Sequence, residues 1–533
     1  MTIFRGTFCA GVAAAALGSA PALAQLADKT VTPNVAEAGI AKSYEQQIGA
    51  GRGSLGTVDS SLFIINRDPA RAVRRGRQLF QRKFTRAQGH GPLEGDGSGD
   101  INSNLAIGAG LADSCAACHG RPRGSAGFGG DVVTRPDSRD APHLFGLGLK
   151  EMLADEITAE LRGIRQSAIN AARSSGQSVT RSLIVSADKG RVNYGTIRAF
   201  PNGTVNTDGV RGVNRDLRVR PFFAHGGTIS IREFLVGAFN AEMGLEAPDP
   251  ELKAASTGGR VVTPAGMVLD GGTDTIEAPP ASSITDDNDN DGVANEIPTS
   301  IVDFMEFYLL NYFKAGVGQV TPEVNDGLNR FFQLGCASCH VQNMTVRSDR
   351  RVADVETDYD PARGNPFNRL FATASTLFSS VDDGSGHPTL KRPLRGTFLV
   401  RSIFTDFKRH DLGPNFHEIN YDGTIQKEFL TTPLWGVGGT GPYGHDGRSP
   451  SLMDVILRHG GEALQARNNF ANAGPTAQRN VIAMLNALVL FAPDDTASNL
   501  PSGAAVPTTT GYPQFGHGSI RLVGLFNDPT DPE

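Results

Sequence analysis

The sequence has few cysteines, few aromatic residues and no long apolar run. Of 533 residues, five are cysteine, one is tryptophan and 7% are aromatic, whereas 64 are glycine and 31 are proline. This composition favours short helices with many loops and excludes a coiled coil or a collagen helix. Beyond residue 24 the longest apolar stretch, 481–492, is interrupted by Asn486, so no membrane span is predicted there. Lys and Arg total 50 against 56 Asp and Glu, without a basic block, which argues against nucleic-acid binding.

The first 24 residues have the pattern of a secretory signal. Arg5 precedes a largely apolar run, and Ala22-Leu23-Ala24 supplies a small-residue cleavage site. Cys9 lies within this segment, and we expect it to be removed with it. We therefore predict export to the periplasm, or secretion, after cleavage near Ala24, with no stable membrane insertion.

The four remaining cysteines all fall in two C-x-x-C-H motifs, Cys115–His119 and Cys336–His340. The two thiols of such a motif can add across the vinyl groups of a haem, and the adjoining histidine can bind the iron. The same cysteine spacing also serves a thioredoxin-like dithiol, which does not need the histidine, or zinc, which needs four converging ligands. The motifs predict two covalently bound haem c groups, held by Cys115, Cys118, His119, Cys336, Cys339 and His340.

A repeated pattern surrounds the two motifs. Ahead of each motif, Val, Gly and Phe recur at steps of three and four, as Val73, Gly76, Phe80 and then Val324, Gly327, Phe331. This spacing places the three side chains on one face of a helix, with a glycine where another helix can approach closely. Behind the motifs, segment 141–148 resembles 432–438, and 223–231 resembles 443–452. The chain is therefore predicted to contain a duplication, with one haem in each half.

The predicted fold is mainly α, with two cytochrome c-like haem domains and long irregular loops. The predicted segments are a signal peptide (1–24), an N-terminal extension (25–69), a first haem c domain with the active-site haem (70–245), a linker (246–300), a second haem c domain with an electron-transfer haem (301–494) and a polar tail (495–533).

The linker contains a candidate calcium loop. Asp287, Asp289 and Asp291 alternate before Gly292, and Glu296 follows. Alternating carboxylates with a glycine for the turn are what a calcium loop supplies, although Glu296 is two places short of the twelfth position of an EF-hand. A solvated acidic linker is the alternative. We favour one calcium ion as a structural clamp.

The two-motif layout and three downstream segments, 404–413, 432–435 and 447–449, resemble the bacterial di-haem cytochrome c peroxidases, most closely their di-haem oxidoreductase branch. The resemblance covers about residues 70–245 and 300–495. It implies two helical haem domains with calcium near their interface. It also implies that one haem meets hydrogen peroxide, while the other relays electrons from a small periplasmic donor such as a mono-haem cytochrome or a cupredoxin.

The chain departs from the family pattern near the first haem. Ala224 stands where the family has the tryptophan that lies between the haems, and Phe234 stands where it has a glutamine. Glu242 retains the family's acid. No histidine occurs between His119 and His143, so the distal histidine that must move before peroxide enters is missing.

His459 matches the position of the second haem's distal ligand, which is methionine in many family members. We predict that His459 binds the iron of that haem, the alternative being a surface histidine at a helix end. Aligning Ser230 with Ser451 places Ala238 opposite His459, and a methyl group cannot bind iron. If the helix continues, Glu242 follows one turn later on the same face; a surface carboxylate is its alternative role.

Three functions are consistent with these residues. In the first, the first haem reduces hydrogen peroxide, Glu242 moves a proton beside Phe234, and the second haem supplies electrons. In the second, the first haem uses dioxygen to oxidise an organic substrate, as in the rubber-oxygenase relatives, which share a distal phenylalanine and a histidine-ligated second haem. The third is a plain electron-transfer cytochrome. Family resemblance alone does not decide among them.

Overall fold

The computed structural model describes residues 43–91, 110, 112–120, 126–129, 131–132, 139–312, 316–359, 370–376, 380–381, 389–390, 396–420 and 423–490. The predicted signal peptide, the first part of the N-terminal extension (25–42) and the predicted polar tail lie outside the described residues. None of the described helices has both the length and the apolar character needed to cross a membrane.

Helices form most of the core of the described part, as the mainly α prediction requires. The α-helices are α1 (Tyr44–Ile48), α2 (Ser61–Arg67), α3 (Pro69–Gln81), α4 (Cys115–His119), α5 (Leu147–Ser175), α6 (Ile231–Met243), α7 (Pro250–Ser256), α8 (Thr299–Asn311), α9 (Pro322–Gln333), α10 (Leu452–Arg458), α11 (Leu464–Ala471) and α12 (Pro475–Asn486).

Short strands pair antiparallel into small sheets that connect these helices. They are β1 (Asp131–Val132) with β2 (Arg139–Asp140), β3 (Val179–Ile184) with β4 (Asn193–Ala199) and β5 (Val205–Asn206), β6 (Arg260–Val262) with β7 (Val268–Asp270), β8 (Gly316–Val317) with β19 (Leu488–Val489), β9 (Met344–Val346) with β14 (Phe398–Val400), β10 (Ala353–Tyr359) with β11 (Leu370–Thr376), β12 (Ser380–Val381) with β13 (Thr389–Leu390), β15 (Arg409–Asp411) with β18 (Glu428–Leu430), and β16 (Glu418–Ile419) with β17 (Ile425–Gln426).

The two helices with the repeated Val-Gly-Phe pattern are α3 and α9. Each begins with proline, and the residue before it, Asp68 or Thr321, caps the first turn with its side chain. A Cβ atom at Gly76 would overlap the carbonyl oxygen of Phe304 on α8, and one at Gly327 would overlap a carbonyl oxygen on α12. Both glycines therefore allow the close helix contact that the sequence predicted.

The second repeated segment also has the same local structure in both halves. Ser230 and Ser451 have nearly identical extended backbone angles and cap α6 and α10 through their side chains. An isolated antiparallel bridge precedes each cap, joining Phe222 to Thr228 and Tyr443 to Ser449. The two serines therefore correspond in structure; beyond them α6 continues through Ala238, whereas α10 ends at Arg458 and His459 is its C-cap residue.

Helix α8 packs with the first half of the chain, although the predicted boundary at residue 301 assigned it to the second. It lies against α3, as α12 lies against α9. The buried guanidinium of Arg232 on α6 donates to Asp303 and Glu306 of α8 at 3.0 and 2.8 Å. The acidic segment 287–296 follows α6 and precedes α8 in the chain, and it therefore belongs to the first half. Sequence reasoning missed this because α8 is buried on all sides, so its apolar residues are not confined to one face.

Candidate functional site

The first C-x-x-C-H motif forms the short helix α4. Ser114 caps it by accepting the N–H of Ala117 at 3.1 Å. His119 Nδ1 donates to the carbonyl oxygen of Pro142 at 2.7 Å, which fixes the ring and its tautomer. Burial lowers the pKa of His119 to about 4, partly offset by the carbonyl groups of Pro142 and Gly127. The imidazole is therefore neutral, which is the form that binds a metal.

The second motif has the same arrangement with a different acceptor. His340 Nδ1 donates to the carbonyl oxygen of Phe404 at 3.1 Å. Burial lowers the pKa of His340 to about 4. Phe404 has φ of +53°, a conformation that costs energy for a non-glycine residue. The backbone is thus held in a strained state where it orients His340. Sequence reasoning missed this acceptor because a carbonyl group has no signature in the side chains.

His459 lies close to His340, as its predicted role requires. It follows the last residue of α10, and its Nδ1 donates to the carbonyl oxygen of Val455 at 2.6 Å. Burial lowers the pKa of His459. A positive charge on His459 also lowers the pKa of His340, because the two rings are close. The ring of Phe416 meets its edge at 5.4 Å between centroids. Two neutral imidazoles, each held through Nδ1, fit axial ligation of one haem iron.

The cysteines of the two motifs do not support the alternatives. All four are free of disulfide bonds. Among the described residues, no group of potential metal ligands combines cysteines of both motifs, so a shared zinc site is disfavoured. Cys339 lies near Asp406 and His410, but His410 is already bonded to Asp406 and Glu462, at 2.9 and 2.8 Å. The donor set at each motif therefore fits a covalently attached haem better than zinc.

Helix α6 directs one face toward the first motif. Phe234, Gly237, Ala238 and Glu242 are only partly buried, as are Asn240 and Ala241, and a Cβ at Gly237 would meet no atom within 4 Å. The pKa of the Cys118 thiol is raised to about 11, mainly by burial and also by the charge of Glu242. Glu242 and the first motif therefore belong to one site, and the described part of this α6 face carries no residue able to replace His459.

Aromatic side chains surround Phe234. The rings of Phe222 and Phe223 lie 5.9 and 5.3 Å from that of Phe234. The ammonium of Lys150 lies 5.5 Å from the ring centroid of Phe222. The sequence analysis did not select Lys150. The sequence feature that could have drawn attention to it is a single lysine between the apolar stretches 144–149 and 152–154.

Trp435 lies at the junction of the two halves. A Cβ at Gly146 would overlap its ring, and its carbonyl oxygen accepts a hydrogen bond from His143 Nε2 at 2.6 Å. Because His143 follows Pro142, whose carbonyl group holds His119, a continuous path of peptide and hydrogen bonds connects Trp435 with the first motif. The sequence analysis had assigned Trp435 no position between the motifs.

The acidic loop brings its predicted ligands together. One carboxylate oxygen from each of Asp287, Asp289 and Asp291 lies within 4.8 Å of the others. The pKa of Glu296 is raised to about 8, mainly by burial. The hydrogen bond from the Glu246 backbone N–H opposes this rise, and the charges of Asp289 and Asp291 contribute to it. Glu296 Oε1 is buried without a hydrogen-bond partner among the described residues. These oxygens are the donor type that calcium prefers.

The acidic loop is attached to the end of α6. The backbone N–H of Glu246, three residues beyond α6, donates to Glu296, and the N–H of Asn288 donates to the Glu246 carboxylate at 3.1 Å. The loop therefore fixes the end of the helix that carries Glu242.

Comparison with family models matches one part of the second half of the chain. Residues 367–488 match the family model described as "Di-haem oxidoreductase, putative peroxidase". The match includes the segments that carried the resemblance, and also His459, so the resemblance is confirmed over this region. The matched range contains neither C-x-x-C-H motif and leaves the reaction open.

No curated protein matches the chain. Among solved structures, a chain of hydrazine synthase from Kuenenia stuttgartiensis, in a structure pressurised with xenon, matches at 16% identity and a TM-score of 0.21. The alignment covers 36% of this chain and 55% of that one, so the chain spans about half the length of that protein. A likeness at this TM-score carries no argument about fold or reaction.

Proposed function

We propose that this protein is an exported di-haem c oxidoreductase that reduces hydrogen peroxide at the haem of the first motif (haem 1), with electrons relayed by the haem of the second motif (haem 2). The observation that supports this most is the asymmetry between the halves. When Ser230 is aligned with Ser451, Ala238 stands opposite His459. Haem 1 is then the open, reacting haem.

The residues around each motif define their roles. His119 and His340 hold the irons, and a bound haem supplies the redox-active iron for O–O cleavage. The carboxyl group of Glu242 carries a proton toward the space beside the first motif. Phe222, Phe223 and Phe234 make one wall of that space apolar, and this wall excludes water.

The junction of the halves would carry electrons toward the first motif. The path runs from the Trp435 carbonyl group through His143 and the Pro142 peptide to His119, with hydrogen bonds of 2.6 and 2.7 Å. It takes the place of the family's tryptophan, which is Ala224 here. A small periplasmic cytochrome or cupredoxin supplies haem 2.

The apolar wall beside haem 1 also favours a second candidate function, oxidation of an organic substrate with dioxygen. The two reactions differ in the oxidant. Peroxide reduction consumes hydrogen peroxide together with a reduced donor, whereas an oxygenase consumes dioxygen when the organic substrate is present. We expect the ferric protein to show one high-spin haem that binds cyanide, and to oxidise a reduced donor with peroxide. If both haems are low-spin and ignore cyanide and peroxide in both redox states, only electron transfer remains.

Replacing His459 tests the second haem. His459→Ala should convert one low-spin haem to a high-spin or water-ligated state, because the axial imidazole is lost. His459→Met should raise the potential of that haem, following the trend for His/Met ligation. Electronic absorption, EPR and redox titration measure both effects. His417→Ala is the matched control, since this histidine of the same half pairs with Asp411 at 2.8 Å; unchanged spectra in both His459 variants would assign the ligand elsewhere.

Calcium removal should destabilise the protein. An ion held by Asp287, Asp289, Asp291 and Glu296 binds the native state only, and at 100 times its Kd it contributes about 2.7 kcal/mol. A calcium chelator should therefore lower the melting temperature, and added calcium should restore it. Replacing the three aspartates with Ala should abolish the response. A wild-type melting temperature that is insensitive to the chelator would return the segment to a solvated acidic loop.

A further inference from the structure

Lys150 is a deeply set lysine beside the first motif. It lies in the first turn of α5, directly after the segment whose Pro142 carbonyl group holds His119. Its ammonium lies 5.5 Å from the ring centroid of Phe222, in the aromatic group that includes Phe234. Lys150 is half-buried and keeps accessible surface, so its ammonium can be reached by a bound group.

The ammonium of Lys150 has no anionic partner among the described residues. Burial alone lowers its pKa to about 8, and no described carboxylate pairs with it. Its charge acts on His143, which also interacts electrostatically with His119. A cation withdrawn from water without a counter-charge is strongly unfavourable, and one aromatic ring compensates only a small part of that cost. Such a charge is expected to have its partner in a group that binds beside it.

We propose that Lys150 is the anion-binding group of the first haem site, where its ammonium pairs with a negative charge held in the same space as His119. The anion is either a propionate of haem 1 or a small anion that enters from solvent, such as the deprotonated form of peroxide. The inference rests on the proposed function, because it requires haem 1 at the first motif. It adds to Glu242 a second polar group, of opposite charge.

Four variants test the pairing. Lys150→Met removes the charge and keeps the length of the side chain, whereas Lys150→Arg keeps the charge. Arg173→Met, at an exposed position of the same helix, removes one positive charge about 35 Å away. Lys150→Gln is a second neutral variant should the methionine variant fold poorly. Haem stoichiometry and thermal melting are measured first, on every variant.

Two further measurements identify the anion, both below pH 7, where the ammonium is protonated. One is the midpoint potential of haem 1, and the other is the Kd of ferric haem 1 for azide and for neutral imidazole. If the partner is a small anion, Lys150→Met should weaken azide binding about 10- to 100-fold and leave imidazole binding unchanged. If it is a propionate, azide binding should stay unchanged while the potential becomes more negative. Lys150→Arg should restore the wild-type value in either case.

The possible failures are distinguishable. A wild-type protein without haem at the first motif ends both the proposed function and this inference before any variant is compared. Haem 1 present, with the same potential and the same azide affinity in wild type and Lys150→Met, overturns the role of Lys150 alone. An equal effect of Arg173→Met would show a general charge effect and also overturn it.

Discussion

Glu242→Gln is expected to slow peroxide turnover by about 10²- to 10⁴-fold, the range that loss of a positioned general acid or base produces. The amide keeps the shape of the side chain and removes its proton. Glu242 lies on α6 with Phe234 and Ala238, and its charge acts on the Cys118 thiol, so it lies near the motif where the reacting haem is proposed. Both haems should stay attached, because the carboxyl group takes no part in the thioether bonds.

A matched control is available next to the same cysteine. Asp113 also raises the pKa of Cys118, but its carboxylate is paired with Lys83 at 2.7 Å. Asp113→Asn should therefore change turnover by less than about tenfold. Steady-state peroxide reduction with a reduced donor measures both variants, and cyanide should bind one haem in each. Equal rates for Glu242→Gln and wild type would mean that Glu242 is a surface carboxylate.

Replacing Cys115 and Cys118 together with Ala is expected to leave one covalent haem of two. Thioether bonds survive acid-acetone extraction, whereas a haem held by His119 alone does not. Peroxide turnover should be lost with haem 1, while the low-spin spectrum of haem 2 should remain, because its proposed ligands, His340 and His459, lie in the other half. The pyridine haemochrome assay and mass spectrometry measure the stoichiometry.

Replacing Cys336 and Cys339 is the reciprocal variant. It should keep the high-spin haem and remove the low-spin one, so the two spectra can be assigned by subtraction. An exported wild-type protein with four titratable thiols and no haem that survives acid-acetone extraction would refute the two-haem assignment.

Periodicity and spacing predicted the parts of the fold that depend on side-chain patterns. The faces of α3 and α9 follow from residues three and four apart, and Gly76 and Gly327 mark the helix contacts because only glycine lets a backbone come so near. Ser230 and Ser451 were aligned from sequence because a serine cap has a side-chain signature. The same alignment gave the contrast between Ala238 and His459.

The features that sequence reasoning missed depend on backbone atoms or on tertiary contacts. The acceptors of His119 and His340 are carbonyl groups, and no side chain announces them. Helix α8 was assigned to the wrong half because it is buried on all sides and its partner, α3, is more than 200 residues away in the chain. Lys150 appeared as an ordinary helix residue, because its isolation from carboxylates is visible only after folding.

The place of α8 decides where this chain can be divided. A junction before α8 would separate α3 from α8, the helix that covers Gly76. It would also expose α8, whose residues from Ser300 to Asn311 are all buried in the intact protein. A junction between α8 and α9 leaves each glycine-bearing helix with its own partner. Hybrids that exchange halves with another two-haem enzyme should therefore be joined there, with Trp435 and Gly146 chosen as a complementary pair.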